Sequence, residues 1–198
     1  SVMPAGAVCP GGMAPTKLLS GGAYVTVPDG SLKPIASYPY FTTADGGVSS
    51  SYYPAASGAT NPNAWAAIGW VGGSAGPGNN TYAFAVCART ATFTNTVEQA
   101  FVNGPNLAST ASTTTVPCPT GSQVVGGGFS MDSEAALYGG STFFKASQNS
   151  GDHLVASYPT DSSGNPDWSQ ATTKGWGARG HSGGQTLGGT HTHVWAMC

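Results

Sequence analysis

The chain has 198 residues, only 7% of them charged, and a formal net charge of −2, against roughly 25% charged in an average soluble domain. Its six cations (Lys17, Lys33, Arg89, Lys145, Lys174 and Arg179) are scattered; phosphate binding needs clustered Lys or Arg, so a nucleic-acid partner is not expected. No stretch of 18 apolar residues is present, which leaves no transmembrane helix to expect.

Apolar residues make up 39% of the chain and glycine supplies 30 positions. Few Lys and Glu remain to face a helix toward water. Short alternating runs between Gly, Pro and Asn turns read instead as an all-β fold, sandwich-like or barrel-like. The chain opens at Ser1, which reads as a mature, processed form.

The first element is "CPGGMAPTKLLSGGAY" from Cys9, a cysteine followed by a strand with paired glycines. "IASYP" (35–39) follows, then "SYYP" (51–54). Residues 65–70 read as a strand, 71–79 as a Gly-rich loop and 80–87 as a return strand, together a hairpin. "RTATFTNTVEQAFVNGPNLASTASTTTV" (89–116) reads as an extended Ser/Thr-rich linker or a β-arm. A second start, "CPTGSQVVGGGFS", opens at Cys118, and "VASYP" (155–159) echoes "IASYP".

The last segment repeats the hairpin. "WAAIGWVGGSAGPGNNTYAFAVC" (65–87) lies over "WGARGHSGGQTLGGTHTHVWAMC" (176–198) without a gap, with nine of 23 positions identical. The chain therefore reads as two copies of one module of about 80 residues, 1–88 and 117–198, joined by 89–116.

Four cysteines, Cys9, Cys87, Cys118 and Cys198, are far apart and form no C-x-x-C pair, which points to disulfides in an oxidising compartment. The repeat favours Cys9–Cys87 and Cys118–Cys198, with Cys87–Cys118 and Cys9–Cys198 as the rival pairing. The C-P-x-G starts, the glycine runs, the Ser-x-Pro segments and the aromatic-x-Ala-x-Cys ends resemble duplicated modules of secreted bacterial proteins, especially actinobacterial ones. The resemblance implies export and a β fold and supplies no catalytic residues.

In a strand, side chains alternate between faces. The repeat identities fall on one parity, which is assigned to the core and includes Trp65 and Trp176; Trp195, off that parity, is also expected in the core. The other parity carries Trp70 and Tyr82 in the first copy and Arg179, His181, His191 and His193 in the second. His181, His191 and His193 form a candidate zinc or copper set, because H-x-H on a strand aims both imidazoles the same way. Trp70, Tyr82, Tyr52, Tyr53 and Trp168, with His181 and His193, are candidate ligand contacts, since aromatic faces stack on sugars.

"GHSGG" (180–184) only superficially resembles a nucleophile elbow, which requires a strand-to-helix turn. The expected function is a secreted, non-catalytic binding or adhesive protein, lectin-like, recognising a glycan or cell-surface ligand at duplicated sites. A self-assembling filament or surface-layer protein, whose partners are copies of itself, is the alternative, and a secreted metalloenzyme built on the three histidines is the third.

Overall fold

The structure is a computed structural model and describes residues 2–11, 16–26, 32–42, 52–71, 78–89, 92–133, 147, 151–169, 173–184 and 188–198. All regular elements among these residues are strands: β1 (Val2–Val8), β2 (Thr16–Val25), β3 (Leu32–Tyr40), β4 (Ala64–Val71), β5 (Thr81–Arg89), β6 (Val97–Asn103), β7 (Ala111–Pro117), β8 (Gly126–Asp132), β9 (His153–Thr160), β10 (Gly175–His181) and β11 (His191–Met197). They form a six-stranded sheet in the order β1-β4-β3-β8-β11-β6, a three-stranded sheet β7-β10-β9 and a two-stranded sheet β2-β5, all antiparallel.

The six-stranded sheet is one layer of a sandwich. Under one end, β5 and β2 pack against β1, β4 and β3; under the other, β9, β10 and β7 pack against β8, β11 and β6. The large sheet is continuous because β3 pairs with β8 at Ala36–Ser130 and Ser37–Phe129.

The expected hairpin of 65–70 with 80–87 does not form. Both segments are strands, but β4 pairs with β1 and β3, while β5 pairs with β2 in the opposite layer. β4 and β5 thus lie in different layers. Residues 89–116 hold β6 and nearly all of β7.

The two halves are built around matching contacts. A methyl group at Gly21 would lie 2.1 Å from Trp65 Cγ, and one at Gly127 would lie 2.1 Å from Trp176 Cγ. The bare glycine backbone lets each indole lie flat against the opposite layer. Trp65 Nε1 donates to Ser37 Oγ at 2.8 Å, and Trp176 Nε1 donates to Ser157 Oγ at 2.8 Å. Each indole is thereby packed on one layer and tied within the other.

Gly69 and Gly180 hold the same relation to Thr81 and Thr192: a methyl group would come within 2.4 and 2.8 Å of the threonine Oγ1. The disulfides are Cys9–Cys87 and Cys118–Cys198, which excludes the rival pairing. Each ties the residue after β1 or β7 to the last strand of its half. Closing a loop of that size is worth about 4 kcal/mol by the chain-entropy account.

Trp65 is fully buried, and Trp176 is only partly so. Gly21→Ala is therefore expected to lower unfolding stability by about 2 kcal/mol or more, since a locked indole cannot yield. Gly127→Ala costs less, because Trp176 has room to shift. Gly22→Ala, with no atom within 4 Å of the added methyl, is neutral or slightly stabilising. Denaturant unfolding of the three variants checks the order.

Candidate functional site

Alternation along β11 decides where the candidate histidines point. Thr192 faces Gly180 of the opposite layer, so His191 and His193 point away from it. His181 lies on β10 in that opposite layer, beside His153 with ring centroids 5.3 Å apart. The three histidines expected to share one hairpin face are thus split between two sheets. Among the described residues no group of three His, Cys, Asp or Glu is close enough to hold a metal ion.

His193 was expected on an open face as a ligand contact, and it is buried completely. Its Nδ1 lies 2.6 Å from Asp132 Oδ2, and Asp132 is equally buried. Ser130 Oγ donates to the same carboxylate oxygen at 2.6 Å. Phe101 of β6 stacks on the imidazole at 5.0 Å, with Trp195 on its other neighbouring position at 5.8 Å.

These are the residue types of a Ser–His–Asp triad, but the connectivity is different. A nucleophilic serine must give its proton to the histidine; here Ser130 binds the aspartate instead. The cluster joins β8 to β11 through a buried His–Asp contact with one hydroxyl. A second buried group, Ser147, Thr190 and Asp152, places two hydroxyls on one carboxylate oxygen in the same way.

The cover over His193 and Trp195 comes from elsewhere in the chain. Trp195 stacks on Tyr38 at 5.2 Å and donates through Nε1 to the Ala55 carbonyl at 3.3 Å. Tyr52, in a left-handed conformation at φ 40°, accepts the Tyr38 hydroxyl on its carbonyl at 2.6 Å and packs on Tyr40. Burial, with Tyr52 beside it, pushes the Tyr40 hydroxyl up to about 12. Tyr52 is only half-buried but belongs to this cover, Trp70 packs on the same core, and Tyr53 is likewise half-buried.

Two candidates do face solvent. Trp168 is 91% exposed. It borders a groove of about 630 Å³ whose other walls include Thr113, Ala156, Tyr158, Pro166 and Arg179. The loop is stiffened by Asp167, whose carboxylate accepts from the Ser169 amide and hydroxyl and from Thr173 Oγ1. Tyr82 is the other, and its ring lies 5.9 Å from that of Tyr24.

Tyr24, Phe84 and Val86 extend the exposed surface around Tyr82, and Tyr158 and Arg179 complete the groove; these were not among the expected contacts. The signal for the first group was available: "TYAFAV" is apolar on both parities, as in a strand covered on both sides. The groove has no such signature, because its walls come from three strands and a loop. Set against family models, curated proteins and solved structures, the chain matches none.

Altering either member of the buried His193–Asp132 pair, by His193→Gln or Asp132→Asn, is expected to cost about 1–3 kcal/mol, because a buried polar contact is disrupted; denaturant midpoints measure it. His191, partly buried beside His193, titrates below its ordinary range, chiefly through desolvation, with Asp132 opposing. Its folded value lies below the unfolded one, so the unfolded state takes the proton first. Stability from this group is full above about pH 6.5 and falls as pH drops toward the folded value. Thermal melts from pH 8 to 5 should show that loss, reduced in His191→Gln.

Proposed function

We propose that the chain is a secreted, non-catalytic binding protein, made of two copies of one disulfide-closed module, that recognises a glycan or similar surface ligand in the groove beside Trp168. The single supporting observation is an indole 91% exposed at the rim of a groove with a second aromatic wall, Tyr158. A large apolar ring left in water is costly unless something covers it. Sugars present one apolar face and a rim of hydroxyls. Trp168 and Tyr158 offer faces to stack on, while Arg179 and Thr113 supply polar contacts.

The groove's volume lies within the usual range of small-ligand sites, roughly 300–1,000 Å³. Two disulfides suit an oxidising compartment, and no described helix is long and apolar enough to cross a membrane. The metalloenzyme reading loses its support, since its histidines lie in different sheets. Self-association keeps a separate support, the exposed apolar face of β2 and β5.

A glycan array probed with the oxidised protein tests the proposal. Retention on at least one glycan class is expected, weakened roughly tenfold or more by Trp168→Ala, a loss of about 1.4 kcal/mol. Absence of any retained glycan, or retention unchanged in Trp168→Ala, would overturn it.

A further inference from the structure

β5 and β11 hold matching places in their halves. Each is the last strand, each carries the second half-cystine or leads to it, and each pairs with a glycine-bearing strand, β2 or β8. Tyr82, Phe84 and Val86 correspond to His193, Trp195 and Met197. The second set is buried and the first exposed; Phe84 stands 55% open to solvent.

Two features of the chain account for the difference. On the other side of β11 lies β6, which pairs with it from His191–Asn103 to Met197–Val97 and sets Phe101 on His193. The outer face of β11 also lies under the segment containing Ala55, part of a β3–β4 connection spanning 41–63. The corresponding β9–β10 connection spans only 161–174. Among the described residues β5 pairs with β2 alone.

We propose that the free edge of β5 pairs with β5 of a second copy, antiparallel across a two-fold axis at Phe84, giving a continuous β2-β5-β5-β2 sheet. The strand is self-complementary in that register. Phe84 meets Phe84, Tyr82 meets Val86 on the outer face, and Ala83 meets Ala85 on the inner face. No charge occurs between Thr81 and Ala88 to block an edge, whereas exposed edges are ordinarily guarded by charge or proline.

Matched aromatic and β-branched pairs are what antiparallel neighbours favour. The exposed side chains on the seam strand, Tyr82, Phe84 and Val86, each about half exposed, offer on the order of 300 Å² per copy. A standard interface takes roughly 800 Å² per partner, and the paired backbones add to the side-chain share. That size fits a concentration-dependent dimer. The two-fold closes the contact, so assembly stops at two copies, each of which carries its own Trp168 groove.

Sedimentation velocity of the oxidised full chain across a hundredfold concentration range tests this. The expected result is a monomer–dimer equilibrium with no larger species. Phe84→Lys, which sets two cations face to face, should be monomeric throughout with unchanged thermal unfolding. Tyr24→Lys, on β2 and outside the seam, should leave the dimer in place.

Phe84→Cys should form a disulfide-linked dimer on mild oxidation, and Tyr82→Cys should not. A wild-type protein that stays monomeric at every concentration would overturn the proposal and assign the face to a different partner. So would open-ended growth beyond two copies, or a dimer that Phe84→Lys leaves intact.

Discussion

The whole sandwich depends on bringing two layers together at one point in each half, where an indole lies flat on a glycine. Trp65 on Gly21 and Trp176 on Gly127 set the distance between layers, and the bonds to Ser37 and Ser157 fix the rotation of each ring. A strand glycine normally weakens a sheet. Here its missing side chain is the space the tryptophan occupies. The disulfides then tie the last strand to the first, so that the strands flanking the indole cannot slide apart.

From this shared frame the halves diverge through what covers them. In the large sheet, β11 has a strand on either side and a long connection above it. It is therefore buried on both faces and accommodates the polar pair His193 and Asp132 with the two side chains in contact. In the small sheet, β5 has a single neighbour, and its outward side chains stay in water. Chain length explains the contrast more directly than residue type does: a connection of 161–174 has fewer residues than one of 41–63 with which to cross a neighbouring strand.

This is also why the sequence was legible in some places and opaque in others. Identities between the halves, such as Trp65 with Trp176 and Gly69 with Gly180, lie on the inward parity, where each side chain meets a fixed counterpart. Their role was therefore readable from spacing, as was the disulfide pairing. The outward parity has no such counterpart. His193 aligns with Tyr82, and nothing local distinguishes a buried position from an open one; the difference is made by β6 and by Ala55, remote in sequence. The hairpin reading failed for a related reason. A strand–loop–strand pattern is the same whether the loop turns within a sheet or crosses between layers. The strand β1 escaped notice because Pro4 resembles irregular chain, while β7 falls in the Ser/Thr run read as either a linker or a β-arm. Pro4 in fact sits on an edge strand, where a missing backbone donor does least harm.

The closing "THTHVWAMC" shows how function and scaffold separate in such a protein. Its histidines look like ligands because imidazoles two apart on a strand share a direction, and that inference about direction holds. What they meet in that direction is not solvent but Asp132, Phe101 and Trp195. A face filled from within has no capacity left for a partner. The most exposed aromatic side chains among the described residues lie instead with the other layer: Trp168 over its groove, and Phe84 on an edge strand. Two halves on one frame need not present the same surface. Covering the outer face of β11 stabilises the fold, while the face of β2 and β5 and the groove beside Trp168 stay open to solvent.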